Sequence, residues 1–197
     1  MTDFNARPQH RMPEAEAEAV RAHYLSARVI LEYGSGASTL IAAEMPDKRI
    51  TSVESDGRLL AEIRNWFAQN PPASLPHLHL AMIGPTRRWG YPANDDGFRR
   101  WPSYVQSVWD LPDFAAPDAV LIDGRFRLAC LLTVALRCVQ PVVVLVDDFA
   151  DRPAYHAAEP MLGAPQMIGR MARFALVPGL VSMAHLSLII DSHLMPE

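Results

Sequence analysis

Residues 29–40, VILEYGSGASTL, change from a strand-like pattern to a helix-like pattern within a few positions. The first residues are mostly apolar and are typical of a buried strand. Gly34 and Gly36 follow with Ser35 between them, and a helix-like run begins at Ala37. Glycines let a ligand approach the backbone closely, and the first N–H groups of a helix have no partner within it. The stretch therefore predicts a strand–turn–helix unit that can hold a polar or anionic group.

Strand-like and helix-like segments alternate through the rest of the chain. After a helix over 13–27, the pattern predicts five strands, at 28–34, 49–55, 78–84, 118–124 and 142–149. Parallel neighbours need long crossovers, so this alternation favours a doubly wound, mostly parallel α/β sheet. A helical piece is predicted near 152–172. Two short segments after it, 173–179 and 186–192, are predicted to form a closing antiparallel strand pair.

The length of 197 residues fits one domain, with a helical extension over 1–27 and an insertion over 85–112. The insertion holds three of the four tryptophans, together with several arginines. Long insertions in compact domains often form lids or binding loops. Loop aromatics also seal sheet edges or form contacts in a homo-oligomer, and these readings stay open at this point.

Composition narrows the class of protein. Half of the residues are hydrophobic and the net charge is −4, without a long basic run, so nothing favours a nucleic-acid partner. The amino-terminal residues do not resemble a targeting segment, and the longest apolar stretches are strand-sized, so no membrane span is expected. Cys130 and Cys138 lie in one predicted helix, about 12 Å apart along its axis, too far for a disulfide. A reduced, cytoplasmic protein is expected.

Acidic residues accompany the first two strands. Glu32 lies two residues before Gly34, and Glu54 follows the second strand. A carboxylate at that strand end can accept hydrogen bonds from both hydroxyls of a ribose, which fits either NAD or S-adenosylmethionine. Thr39 stands where a nicotinamide dehydrogenase usually has a third glycine, which disfavours the dinucleotide. Asp56 is predicted to cap the next helix.

The pattern E-x-G-x-G at 32–36 resembles motif I of class I S-adenosylmethionine-dependent methyltransferases, and the likeness extends from about Val20 to Asp191. It implies a Rossmann-like sheet with an antiparallel carboxy-terminal strand pair, S-adenosylmethionine as cofactor, and methyl transfer to a small molecule at oxygen. The cofactor contacts it implies are Glu32, Gly34, Ser35, Gly36, Ser38, Glu54, Ser55, Gly84 and Asp123.

Three aspartates follow the fourth and fifth strands. Asp123 ends one, and Asp147 and Asp148 end the other. Neighbouring strands lie about 4.8 Å apart, so these carboxylates converge, and a cation such as Mg²⁺ would relieve their repulsion. The pattern IDG…VDDF also resembles metal-dependent sugar O-methyltransferases, which implies that the three aspartates bind Mg²⁺. A salt-bridged structural cluster is the alternative.

The expected general base is missing. Arg125 stands where those sugar methyltransferases often have a second aspartate. It could bind a substrate carboxylate or phosphate, or pair with Asp147 or Asp148 and displace the metal. Asp123 and His156 are the other candidate catalytic residues. A non-catalytic S-adenosylmethionine-binding protein and an NAD(P)-dependent oxidoreductase are the alternatives to a methyltransferase.

Overall fold

The computed structural model describes residues 12–197, and a sheet runs through the centre of this part of the chain. Its strands are β1 (Val29–Tyr33), β2 (Arg49–Glu54), β3 (His77–Leu80), β4 (Ala119–Ile122), β5 (Val142–Val146), β6 (Gln166–Ile168) and β7 (Met171–Leu176). The order is β3-β2-β1-β4-β5-β7-β6. The first five strands are parallel, and β7 is antiparallel to both β5 and β6. This confirms the predicted doubly wound sheet with an antiparallel end.

Helices cover both faces of the sheet. They are α1 (Glu14–Ser26), α2 (Ala37–Ala43), α3 (Gly57–Gln69), α4 (Pro102–Gln106), α5 (Arg127–Arg137), α6 (Glu159–Leu162) and α7 (Leu186–Ser192). Alternate residues of a strand face opposite sides, so Ile30 joins the core beneath α1, α2 and α3, whereas Leu31 joins the core beneath α4 and α5. Asp56 caps α3 as predicted, since its carboxylate accepts a hydrogen bond from the Arg58 N–H at 2.9 Å. Residues 1–11 of the predicted extension lie outside the described residues.

The position of the antiparallel pair differs from the prediction. Residues 186–192, predicted as a strand, form α7, which packs against α5. The partner of β7 is instead β6, a short strand within the stretch 152–172 that was predicted to be helical. A run of seven mainly apolar residues fits a buried strand and a helix equally well, so packing against α5 decided between them.

The insertion is folded onto the carboxyl end of the sheet. It contains α4 and short 3₁₀ turns at Arg88–Gly90, Asp95–Arg100 and Ser107–Asp110. Trp101 and Trp109 are buried, and the Trp109 indole N–H donates a hydrogen bond to the Tyr33 hydroxyl at 2.7 Å. Trp89, in contrast, is 56% exposed.

Two further expectations concern cysteines and membranes. Cys130 and Cys138 are buried and not disulfide-bonded, as predicted. Within residues 12–197, every helix is too short or too polar to cross a bilayer.

Candidate active site at the carboxyl ends of the strands

The strand order reverses between β1 and β4. The turn Gly34–Ser35–Gly36, here called the glycine turn, follows β1 at this point. Gly34 has a φ of 103°, and a side chain there would lie 2.7 Å from the Gly124 nitrogen. The turns after β1 and β4 are therefore in direct contact, which only a glycine at position 34 permits. Ligands of doubly wound sheets bind in the crevice at such a reversal.

Glu54 lies at the end of β2, beside the glycine turn. Its carboxylate accepts hydrogen bonds from the N–H groups of Ser35 at 3.3 Å, Ser55 at 2.6 Å and Asp56 at 2.8 Å. Burial raises the pKa of Glu54, although these N–H donors oppose the rise. The carboxylate is thus fixed by backbone donors on one side.

The other side of Glu54 is covered by the 3₁₀ turn Arg88–Gly90, here called the covering turn. The Ser55 hydroxyl donates a hydrogen bond to the Gly90 carbonyl at 3.0 Å. A side chain at Gly90 would lie 2.6 Å from the Ser55 Oγ and 2.9 Å from the Glu54 Oε1. Trp89 and Gly90 both have positive φ, of 68° and 67°. The covering turn therefore packs directly against the Glu54 carboxylate and the Ser55 hydroxyl.

Glu32 is fully buried beneath the glycine turn. Its Oε1 accepts a hydrogen bond from the Tyr24 hydroxyl at 2.7 Å. Burial raises the pKa of Glu32, and surrounding hydroxyl groups, with that of Thr39 the strongest, oppose the rise. Because this carboxylate is enclosed, Glu32 would contribute to cofactor binding by supporting the turn above it and not by direct contact.

The remaining predicted cofactor residues line the same region. The Ser35 hydroxyl lies 2.7 Å from that of Ser52, and the Gly36 N–H donates to the Thr39 hydroxyl at 3.0 Å. Ser38 is buried at the start of α2. A side chain at Gly84 would lie 3.1 Å from the Arg100 guanidinium, so the turn Asp95–Arg100 covers this position. Their contacts with a cofactor stay predictions.

Asp123, Asp147 and Asp148 come together as predicted. One carboxylate oxygen from each lies within 4.8 Å of the others. Asp148 has a φ of 55°, beyond the end of β5, so the strand alternation no longer separates its side chain from that of Asp147.

Arginines form ion pairs with all three carboxylates of this cluster, and one of them, Arg152, contacts Asp148 at 3.8 Å. Arg127 contacts Asp123 at 3.1 Å and Asp148 at 3.2 Å. Arg170 contacts Asp147 at 2.8 Å and Asp148 at 3.0 Å. The carboxylates are donors of the kind Mg²⁺ prefers, but their oxygens accept hydrogen bonds from guanidinium groups instead. As arranged, the residues form the salt-bridged alternative. The same three carboxylates are also close enough to hold a metal ion, and that role stays a prediction.

These arginines were not identified from the sequence. The sequence-based pairing of Arg125 with Asp147 or Asp148 is wrong, because Asp148 pairs with Arg127 and Asp147 pairs with Arg170. Arg127 lies four residues after Asp123 at the start of α5, a spacing that could have indicated the pair. Arg170 lies in the turn between β6 and β7, and nothing in its local sequence indicates a role.

The Asp123 carboxyl group is a weaker acid than an ordinary aspartate. Its pKa is raised to about 7, because burial and repulsion from Asp147 and Asp148 outweigh the attraction of Arg127. The side chain is nevertheless 37% exposed. An accessible carboxylate that titrates near neutral pH can accept a proton from a reacting group.

Arg125 forms no ion pair with the acidic cluster within residues 12–197, and it is only 7% exposed. Its backbone N–H donates a hydrogen bond to the Tyr104 hydroxyl at 3.2 Å, and its guanidinium lies 4.4 Å from the centre of the Tyr91 ring. Tyr91 and Tyr104 both belong to the insertion. Their role could not be read from the sequence, because it depends on how the insertion folds back.

His156 lies in the 3₁₀ turn Pro153–Ala158, which follows β5. Its Nδ1 pairs with the Glu159 carboxylate, and its ring packs 4.7 Å from that of Phe149. The side chain is 43% exposed. Its role as a base stays a prediction.

Comparison with solved structures finds relatives that cover most of the chain. The crystal structure of a methyltransferase-like protein from Silicibacter pomeroyi is 45% identical in sequence, with a TM-score of 0.93, covering 96% of this chain and 99% of that one. The chain belongs to the class I S-adenosylmethionine-dependent methyltransferase family, as its resemblance at 32–36 implied.

More distant structures share the fold. The O-methyltransferase TomG from Streptomyces achromogenes, in complex with S-adenosylmethionine, is 20% identical with a TM-score of 0.53, covering 86% of this chain and 92% of that one. An O-methyltransferase from Bacillus cereus is 14% identical with a TM-score of 0.53, covering 78% and 64%. No family model and no curated protein sequence matches the chain.

Proposed function

We propose that the protein transfers a methyl group from S-adenosylmethionine to an oxygen of a small-molecule acceptor. The observation that carries this proposal is the meeting of the glycine turn with Glu54 at the reversal of strand order. The Silicibacter relative is described as methyltransferase-like, and TomG is an O-methyltransferase with bound S-adenosylmethionine.

The residue types around the crevice fit the cofactor. Glu54 is held by N–H donors on one side, so its remaining lone pairs could accept the ribose hydroxyls. The covering turn lies on the opposite side from these N–H donors, with Gly90 against the carboxylate. Binding therefore requires the covering turn to move away from Glu54.

The chain's own residues would bind the cofactor, orient the acceptor and take up a proton. When bound, S-adenosylmethionine supplies an electrophilic methyl group on a sulfonium. Asp123 accepts the proton of the acceptor hydroxyl, and Arg127 holds its carboxylate in place at 3.1 Å. The buried arginines and aromatic rings around it align the acceptor, which contributes most of the rate enhancement when the reacting atoms are in line.

Calorimetric titration with S-adenosylmethionine, S-adenosylhomocysteine and NADH tests the cofactor. We expect both sulfur nucleosides to bind, and Glu54→Ala to weaken that binding by about tenfold or more, since hydrogen bonds to a charged group are lost. Asp56→Ala is the matched control, because it removes a neighbouring carboxylate that caps α3. Binding of NADH alone would establish the oxidoreductase alternative and overturn the proposal.

A second candidate is a protein that binds S-adenosylmethionine without turnover. The closed position of the covering turn over Glu54 favours it. Release of S-adenosylhomocysteine across a panel of hydroxylated small molecules distinguishes the two. Turnover that Asp123→Asn abolishes supports the enzyme, whereas binding without turnover on every acceptor supports the silent protein.

A further inference from the structure

Arg125 is a buried cation that has no anionic partner among the residues the structure describes. Its side chain is 93% enclosed, and among residues 12–197 no carboxylate forms an ion pair with it. Its Nε has no hydrogen-bond partner within the same residues. The three aspartates of the nearby cluster pair with other arginines, so they do not compensate its charge. A buried, unpaired charge is strongly unfavourable, which points to a ligand that supplies the missing anion.

The surroundings of Arg125 form a built site. The Tyr104 hydroxyl accepts a hydrogen bond from the backbone N–H of Arg125, and the Tyr91 ring lies across the Arg125 guanidinium. The Tyr155 hydroxyl is also buried, and it has no hydrogen-bond partner in the described part of the chain. The charges of Arg127, Arg152 and Arg125 all act on Tyr155. Arg127 is paired with Asp123 and Asp148, and Arg152 with Asp148, so Arg125 is the arginine of this group that has no carboxylate partner among the described residues.

This region is connected with the covering turn. A side chain at Gly90 would lie 4.0 Å from the Arg125 Cγ, and Tyr91 is the next residue along the chain. Movement of Gly90 away from Glu54 would carry Tyr91 with it and uncover the guanidinium.

We propose that Arg125 is the centre of a binding site for a carboxylate or phosphate group of a small molecule, with the Tyr155 hydroxyl as a second donor. A guanidinium presents paired N–H donors that match either group. This site rests on the proposed function in one respect, because the anion that Arg125 binds is either a group of the methyl acceptor or the carboxylate of the cofactor.

The test measures anion binding without any cofactor, so that it stands even if methyl transfer fails. Thermal unfolding is followed during titration with inorganic phosphate and with succinate, at constant ionic strength set with NaCl. We expect saturable stabilisation of the wild type, and at least about tenfold weaker binding by Arg125→Met, because a charged hydrogen bond is lost. Arg58→Met, which removes an exposed arginine on α3, is the matched control.

Stability in NaCl alone, without phosphate or succinate, provides a second measurement that a folding defect cannot imitate. Arg125→Met should be at least as stable as the wild type in NaCl, because an apolar side chain replaces an unpaired buried charge. Arg125→Lys keeps the charge without the paired donors and should bind anions at an intermediate strength.

The two sources of the anion are then separated. If Arg125 binds the acceptor, saturating S-adenosylhomocysteine leaves succinate binding intact, and Arg125→Met binds S-adenosylhomocysteine as well as the wild type does. If it binds the cofactor, Arg125→Met weakens S-adenosylhomocysteine but not 5′-methylthioadenosine, which lacks the carboxylate. Equal anion binding by wild type, Arg125→Met and Arg58→Met would overturn the proposal.

Discussion

At the scale of single residues, several carboxyl groups of this protein are held where charge is unfavourable. Glu32 is enclosed beneath the glycine turn, and Asp123 shares an edge of the sheet with two other aspartates. Burial raises the pKa of both groups. The raised pKa of Glu32 should therefore make the free energy of unfolding depend on pH, and the raised pKa of Asp123 should make the activity depend on pH.

Replacement of Glu32 by glutamine should change how stability depends on pH. The raised pKa means that the folded state binds more protons than the unfolded state once the pH exceeds the ordinary glutamate value. The free energy of unfolding of the wild type should therefore fall, relative to Glu32→Gln, as pH rises from about 4.5. Urea denaturation of both proteins at several pH values measures this, with the exposed Glu18→Gln as control. A difference that stays constant with pH would contradict it.

The activity should depend on the ionisation of Asp123. Its deprotonated form is the base, so kcat/KM should rise with pH through about 7 and then level off. Asp148→Asn removes a repelling charge, which should move this rise to lower pH. Initial rates across the pH range measure both profiles. Equal rates for wild type and Asp123→Asn would exclude Asp123 as the base.

At the scale of elements, the covering turn Arg88–Gly90 decides access to the crevice. Its closed position depends on Gly90, whose φ is positive and whose missing side chain leaves room for Ser55 and Glu54. A protein whose binding-competent state is partly populated binds more tightly when the closed state is destabilised.

Gly90→Ala should consequently strengthen cofactor binding. The added methyl group would collide with the Ser55 Oγ, 2.6 Å away, and so destabilise the closed turn. We expect several-fold tighter binding of S-adenosylhomocysteine by calorimetry, with lower thermal stability. Gly179→Ala is the matched control, because Gly179 also has positive φ but its side chain would meet nothing within 4 Å. Weaker binding by Gly90→Ala alone would show that the closed turn belongs to the bound state.

The acidic edge shared by β4 and β5 gives a prediction about metal. Guanidinium groups of Arg127 and Arg170 already contact all three aspartates. Titration with Mg²⁺ should therefore shift the Tm of the wild type and of Asp148→Asn alike. A shift seen in the wild type and lost in the variant would establish the metal site that the resemblance implied.

At the scale of the whole molecule, Arg170 joins parts of the chain that are distant in sequence. Its guanidinium pairs with Asp147 after β5, and its backbone N–H donates a hydrogen bond to the Glu16 carboxylate of α1 at 2.9 Å. The Asp147 side chain is 2% exposed, and Arg170 is its ion-pair partner at 2.8 Å.

Arg170→Met should be strongly destabilising. It leaves the buried Asp147 carboxylate without its paired donors, which should lower the free energy of unfolding by about 3–5 kcal/mol. Arg49→Met breaks an ion pair with Asp113 that is largely exposed, and should cost less than about 1 kcal/mol. Urea denaturation of the two variants measures the contrast. Similar losses in both would show that the Asp147 pair adds no more than a surface contact.

The amino-acid sequence by itself determined the parallel half of the sheet, the glycine turn and the convergence of Asp123, Asp147 and Asp148. These features follow from local periodicity, from the conformational freedom of glycine and from the rule that parallel strands end at one edge. Only the tertiary structure decided that 186–192 is helical, that Arg127 and Arg170 form ion pairs with the aspartates, and that Gly90 covers Glu54. Each of these depends on contacts between segments far apart in the chain, which local sequence does not specify.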